Sequence, residues 1–199
     1  MAKKGTILVG TIGQSVMMSA DDGANWIRAS VRQGMHSDCI VRALLSDPLR
    51  PEAVYAGTDM GLYRSDDGGS KWRLLDTPMK GSMVWSVAVD PIDPNVMFAG
   101  TGTPSKPGIY RSTDAGKSWE HRPMEIAEEC PNVGIPRPTG IAVDPTDHRN
   151  VWVGFEVDGV RHSADGGDTW TKVNGQIPNQ DVHNVLRSEE RRVGKECRL

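Results

Sequence analysis

Short apolar runs alternate with polar turn residues along most of the chain. Pairs of such runs, divided by Asp-Pro turns, recur at 39–59, 84–102 and 139–156. Each pair is followed by a third run, at 61–65, 108–112 and 159–163. Runs of this length, bounded by Gly, Pro and Asp, are typical of β-strands. A fourth strand is expected after the next turn, as in WRLLD from Trp72.

The turn before the fourth strand has the pattern S-x-D-x-G-x-x-W in four places. Ser and Asp side chains accept hydrogen bonds from nearby backbone N–H groups, and the glycine can take a positive φ. The Trp is expected to pack beneath the turn. Carboxylates beside glycines can also indicate a metal or phosphate site, but a motif present four times is expected to be structural. The box residues are Ser19, Asp21, Gly23, Trp26, Ser65, Asp67, Gly69, Trp72, Ser112, Asp114, Gly116, Trp119, Ser163, Asp165, Gly167 and Trp170.

The four boxes define a repeat. Their serines are 46, 47 and 51 residues apart, and four antiparallel strands per unit of this length describe a propeller blade. We therefore predict an all-β fold, a β-propeller of four-stranded antiparallel blades that is truncated after about four of them. The blades are expected at 5–37 (incomplete, without its own first strand), 38–81, 82–138 and 139–180, with the start of a further blade at 181–186.

The pattern breaks at RSEERRVGKECRL, residues 187–199. One interpretation is a charged, solvated tail. The other is an artefact, because a back-translation of residues 187–197 resembles a short-read sequencing adapter. We therefore expect the propeller fragment to span residues 1–186 and treat the tail as non-native.

Composition narrows the possible partners. The net charge of −3 gives no reason to expect nucleic acid. No apolar run is long enough to cross a membrane and no signal peptide is recognisable, so a cytoplasmic location is expected.

Three cysteines without metal-like spacing predict neither a disulfide framework nor a metal site, and no cofactor is expected. Cys39 is expected in the core, and Cys130, beside Glu128 and Glu129, as an unreactive thiol.

The boxes, with the phrases AVDPxxPxxxxAGT and GxYRSxDGGxxW, resemble Asp-box (BNR-repeat) β-propeller proteins over residues 5–186. That superfamily includes sialidases, xyloglucanases, sortilin-type receptors and photosystem II assembly factors. The Arg-Ile-Pro motif of sialidases is absent from this sequence. The xyloglucanase phrasing is similar, although those enzymes normally have two propellers and are secreted. The resemblance implies the fold more than the function, because one fold hosts many chemistries.

The resemblance also implies where a ligand binds: on the face opposite the boxes, in the loops before each first strand and between second and third strands. The two longest such loops, 101–108 and 122–140, are the expected binding region. A glycosidase needs two carboxyl groups roughly 5–9.5 Å apart. The candidates for that role are Asp38, Glu156 and Asp181; the candidate ligand-binding residues are His36, Asp59, Arg137 and His183. The alternative is that these residues are polar only because the rim of a propeller channel is exposed to water, and that they take part in no reaction.

Two functions follow from this sequence. The favoured interpretation is a repeat scaffold, non-catalytic or of unproven activity, that binds a protein or a small glycan ligand on the channel face. The alternative is a glycoside hydrolase, xyloglucanase-like or exo-sialidase-like, that uses a carboxylate pair. A sheet edge left open by an incomplete ring also predicts self-association.

Overall fold

The computed structural model describes residues 5–130, 134–173, 175 and 177–187. Its strands form four antiparallel sheets, three of four strands and one of three, in which neighbouring strands follow chain order. The one helical element in these ranges is a 3-10 turn at Val31–Gln33. None of the described segments is a helix long and apolar enough to cross a membrane. The predicted all-β class with propeller-like sheets is confirmed.

Each sheet corresponds to one Asp-box unit and is called a blade below. Blade 1 consists of β1 (Ile7–Gly10), β2 (Val16–Ser19) and β3 (Ile27–Arg28). Blade 2 consists of β4 (Val41–Ser46), β5 (Val54–Thr58), β6 (Gly61–Ser65) and β7 (Arg73–Leu74). Blade 3 consists of β8 (Val84–Val89), β9 (Met97–Thr101), β10 (Gly108–Ser112) and β11 (Glu120–Arg122). Blade 4 consists of β12 (Arg137–Val143), β13 (Val151–Glu156), β14 (Gly159–Ser163) and β15 (Thr171–Val173).

A glycine in β1, and in the second strand of blades 2, 3 and 4, lies where the following part of the chain packs closely. At Gly10 a Cβ would lie 2.7 Å from Val41 Cγ1, and at Gly57 it would lie 2.7 Å from the Val84 carbonyl oxygen. Such separations are shorter than real Cβ contacts. Gly100 and Gly154 occupy the same place in blades 3 and 4. The glycine therefore sets the spacing between neighbouring blades.

Each Asp-box is a closed set of short hydrogen bonds. In blade 2, Ser65 Oγ accepts from the Gly69 N–H at 2.8 Å and donates to Asp67 Oδ1 at 2.9 Å. The Asp67 carboxylate accepts from the Lys71 N–H at 2.8 Å. The Trp72 indole N–H donates to the Gly69 carbonyl at 2.8 Å. The other three boxes repeat this arrangement, except that the Trp170 indole nitrogen has no hydrogen-bond partner in the described part of blade 4.

The boxes also join blades. Trp72 packs in one apolar cluster with Val16 and Met35 of blade 1 and is only 5% exposed. Trp26 belongs to blade 1, where no described sheet precedes it, and it is 41% exposed. The box Trp is therefore buried by the preceding blade rather than by its own turn.

The segment 181–186, where the sequence predicts the start of a further blade, packs on blade 4 but contains no strand. In the segment 181–186, side chains of Val182 and Val185 come within 2.8 and 2.7 Å of a Cβ built at Gly154, as Val41 does at Gly10. Arg187 Nε donates to Asp144 Oδ2 at 2.9 Å. The rest of the suspected adapter tail, residues 188–199, lies outside the described residues.

Candidate functional site

Three innermost strands carry a β-bulge at the same repeat position. The pairing shifts between Val41 and Ala43 in β4, between Val84 and Ser86 in β8, and between Pro138 and Gly140 in β12. Bulges re-aim side chains and are frequent next to functional sites. The extra residues are Arg42, Trp85 and Thr139, and His183 stands at the equivalent place after Val182. These residues and the loops beside them lie at the end of the blades opposite the box turns, and this surface is called the channel rim below.

Trp85 connects three blades at this rim. Its indole N–H donates to the Thr103 carbonyl at 2.9 Å and so holds the loop after β9. The guanidinium carbon of Arg42 lies 4.4 Å from the ring centre, and that of Arg137 lies 5.2 Å from it. Both distances are within the range of cation–π attraction. Since Arg42 comes from blade 2 and Arg137 from blade 4, the indole is braced from both neighbouring blades.

Four predicted site residues lie close together, and one of them, Arg137, contacts Trp85. Arg137 Nη1 lies 2.9 Å from Glu156 Oε2, and the two side chains are 26% and 16% exposed. The more exposed His183 and Asp181 lie 3.5 Å apart. One ligand atom each from Glu156, Asp181 and His183 lies within 4.8 Å of the others. These three side chains are suited to a divalent cation, but the Arg137 guanidinium already balances Glu156 and would oppose a metal there.

The remaining predicted residues have other partners. Asp38 pairs with Arg28 at 2.8 Å, and its side chain is 74% exposed. His36 Nδ1 accepts from the Asp38 N–H at 3.3 Å. Asp59 Oδ1 accepts from the Ile40 N–H at 3.0 Å and so caps the entry to β4. The structure thus gathers Arg137, Glu156, Asp181 and His183. His36, Asp38 and Asp59 instead bond to residues of blades 1 and 2.

The two long loops border a cavity of about 580 Å³, at residues 104–107 and 121–128. An ion cluster of Arg161, Asp158 and Lys172 holds the second of these loops at Glu125 and Ala127. Arg161 donates to the Glu125 carbonyl at 2.9 and 3.0 Å and to Asp158 Oδ2 at 2.7 Å. Asp158 also accepts from the Ala127 N–H at 3.1 Å and from Lys172 at 2.8 Å. Burial alone would raise the pKa of Asp158, but these hydrogen bonds and the cations lower it below its usual value.

The two described cysteines are not activated. Burial raises the pKa of Cys39, which is fully buried in the core as expected. Burial also raises the pKa of Cys130, whose Sγ donates to the Val157 carbonyl at 3.2 Å. The carboxylate that adds to this rise is Asp158 rather than the neighbouring glutamates. Neither thiol has the electropositive surroundings of a nucleophile.

Arg42 and Trp85 are the rim residues that sequence reasoning missed. The signal was present, because both follow the buried valine of the first strand, as His183 follows Val182. Comparing the four units at that one position identifies the ring of rim side chains.

Three comparisons with known proteins found a repeat family, related sequences and similar structures. A family model described as BNR/Asp-box repeat matches residues 110–121. The chain is 34% identical over 147 residues to the xyloglucanase Xgh74A of Acetivibrio thermocellus, covering 66% of this chain and 17% of the relative. It is 30% identical over 159 residues to a xyloglucanase of a Paenibacillus species, covering 72% and 15%. A crystal structure of an ancestral GH74 enzyme superposes with a TM-score of 0.71 at 20% identity, covering 88% of this chain and 23% of that one.

The chain therefore spans less than a fifth of the length of these xyloglucanase relatives. Over the matched residues it is 34% and 30% identical to them. The solved structure shows that the fold is the same. Four box turns, four antiparallel sheets and the family match together identify the chain as a BNR-repeat (Asp-box) β-propeller.

Proposed function

We propose that this chain is part of a glycoside hydrolase that acts on a xyloglucan-like β-glucan, with the channel rim as its glycan-contacting surface. The observation that carries the proposal is the 34% identity to a xyloglucanase over 147 residues. It favours the hydrolase over the non-catalytic scaffold. The chemistry of the rim supports the same choice, since carboxylates, guanidinium groups and an indole are suited to sugar hydroxyls and ring faces.

The carboxylates that suit this chemistry are Glu156 and Asp181. Glycoside hydrolysis normally uses one carboxyl group to protonate the leaving oxygen and a second as nucleophile or base. Oxygens of Glu156 and Asp181 lie within 4.8 Å, whereas the carboxyl groups of retaining enzymes are roughly 5–5.5 Å apart and those of inverting enzymes 6.5–9.5 Å. The two carboxyl groups are therefore close enough to flank one glycosidic bond. Glu156, ion-paired with Arg137, suits the group that acts ionised, as nucleophile or base, and the more exposed Asp181 suits the proton donor.

Arg137 would position the pair. Its guanidinium contacts both Glu156 and the Trp85 ring, so it fixes the carboxylate relative to an aromatic surface. Asp38, the third catalytic candidate, is bound to Arg28 on a different loop and is assigned no role in bond cleavage.

The test is the release of reducing ends from purified xyloglucan by the chain and its variants. Glu156→Gln and Asp181→Asn should each lower turnover by about 100-fold or more, as expected for loss of an acid, base or nucleophile. Asp38→Asn should retain most of the activity. Glu52→Gln is a matched control, because Glu52 is exposed in the β4–β5 turn, at the opposite end of the blade. Full turnover by both rim variants, or a loss in Glu52→Gln as large as theirs, would contradict the proposal.

A further inference from the structure

The cavity of about 580 Å³ in blade 3 lies between the loop after β9 and the loop after β11. Blade 3 has a blade packed on either side of it. The volume is within the range of about 300–1,000 Å³ that is typical of small-molecule sites. Arg137, Glu156, Asp181 and His183 do not line this cavity. It is therefore separate from the carboxylate pair at the centre of the rim.

The first wall of the cavity, residues 104–107, is held by hydrogen bonds within blade 3. Ser105 Oγ accepts from the Met83 N–H at 2.9 Å, just before β8. Thr101 Oγ1 donates to the Lys106 carbonyl at 2.9 Å. These two side-chain bonds fix the short loop at both of its ends.

The second wall, residues 121–128, is held by blade 4. Arg161 is only 3% exposed and donates to the Glu125 carbonyl at 2.9 and 3.0 Å. Asp158 accepts from the Ala127 N–H at 3.1 Å. Because the two walls are anchored to different blades, they stand apart without a ligand between them.

Most of the lining is apolar and suits an aromatic ring. It contains three prolines, one methionine and two isoleucines: Pro104, Pro107, Pro123, Met124, Ile126 and Ile135. The sulfur of a methionine makes favourable contacts with aromatic rings. The imidazole of His121 also lines the cavity, and it already contacts the Tyr110 ring edge-on, with ring centres 5.3 Å apart.

Two neighbouring donors stand on the first wall. Ser105 Oγ accepts a backbone N–H, so its own proton is available to a ligand. The exposed Lys106 ammonium group forms no hydrogen bond or ion pair with the residues that the structure describes. Arg122 also lines the cavity but is paired with Asp168 at 3.1 Å, and the acidic Glu128 stands on the second wall. A hydroxyl beside an ammonium group suits the two oxygens of a carboxylate.

We propose that this cavity binds an aromatic carboxylate. The ring lies among the prolines and Met124, and the carboxylate bonds to Ser105 and Lys106. The ligand differs in class from the glycan assigned to the centre of the rim, so this site does not depend on the proposed hydrolase activity.

Methyl NMR of the full chain, carrying carbon-13 at the methionine methyl groups, tests binding at this place. The probe is 2-naphthoate, and its uncharged analogue 2-naphthamide is the matched comparison. The Met124 signal, identified by its loss in Met124→Leu, should shift and saturate with 2-naphthoate. 2-Naphthamide should bind about 10-fold more weakly, because it lacks the charge that Lys106 meets. The signals of the buried Met79 and Met97 should not move.

Substitution of the lysine isolates the charged contact. Lys106→Gln should weaken the binding of 2-naphthoate by about 10-fold and leave that of 2-naphthamide unchanged. Lys117→Gln is the matched control, because Lys117 is exposed in the Asp-box turn at the opposite end of blade 3. Ala127→Trp should fill the cavity and abolish the Met124 shift with both probes, while unchanged Met79 and Met97 signals show that the variant is folded.

A Met124 signal that does not shift with 2-naphthoate would overturn the proposal. Equal affinity for the two probes, or an unchanged affinity in Lys106→Gln, would also overturn it, because the carboxylate would then make no contact with the lysine. Octanoate that binds as tightly as 2-naphthoate would show an aliphatic rather than an aromatic site. None of these measurements involves a glycan, so failure here leaves the hydrolase proposal untouched.

Discussion

At the residue scale, the Asp-box combines two separate functions. The serine and aspartate close the turn through short hydrogen bonds, whereas the tryptophan fastens the turn to the preceding blade. The sequence pattern predicted the first function, because the spacing of Ser, Asp and Gly is local. It did not predict the second, because the burial of an indole depends on which sheet lies beside it. Trp26 and Trp72 have the same motif and very different exposure.

This difference predicts unequal costs of truncation. Trp72→Ala should lower the free energy of unfolding by about 3–5 kcal/mol, the usual cost of removing a fully buried aromatic side chain. Trp26→Ala is the matched control and should cost far less, because its indole is 41% exposed. Urea denaturation followed by circular dichroism measures both. Equal losses would contradict the view that the preceding blade buries the box Trp.

The box aspartates also predict how stability responds to acid. Hydrogen bonds from the Ser118 side chain and N–H hold the pKa of Asp114 at about 2, below its usual value of 3.8. A carboxyl whose pKa is lower in the folded state stabilises the fold fully above pH 3.8 and progressively less as the pH falls towards 2. Asp114→Asn should therefore flatten the decline in unfolding free energy between these two pH values. An unchanged decline, measured by denaturant titration at each pH, would refute the assignment.

At the element scale, the strands were predictable and the bulges were not. Third strands at 61–65, 108–112 and 159–163 match the structure residue for residue. The fourth blade differs from the expected boundary at 139, because β12 already begins at Arg137. Each bulge adds one residue to the first strand of its blade. The alternation of apolar and polar residues in the sequence is disturbed too little to reveal it. Their consequence, the approach of Arg42 and Arg137 to Trp85, is therefore a product of tertiary structure.

The second-strand glycines provide a test at this scale. Gly57→Ala should destabilise the chain by about 1–3 kcal/mol, because its Cβ would meet the rigid Val84 carbonyl at 2.7 Å. Gly5→Ala is the control, since its Cβ would have only an ordinary contact at 3.6 Å. Thermal unfolding compares the two variants. If Gly57→Ala were neutral, blade spacing would not depend on this glycine.

At the scale of the whole molecule, repeat number and blade order followed from the sequence, while the site did so only in part. Loop position alone nominated seven side chains, and the structure brings four of them together. The others bond to nearby groups. Asp38, for example, is in a loop and forms an ion pair with the nearest opposite charge, Arg28. The ring of bulge residues completes the rim and gives it an aromatic surface beside the carboxylates.

Calorimetric titration with a xyloglucan oligosaccharide tests most directly whether this rim binds a β-glucan chain, as proposed. The wild-type chain should bind, and Trp85→Ala should weaken the affinity by at least 10-fold, since stacking and the bracing of two arginines are lost together. Asp93→Asn, in the turn at the opposite end of blade 3, should bind like the wild type. A wild-type chain that releases no heat and shows no binding, or a Trp85→Ala variant with unchanged affinity, would contradict the account.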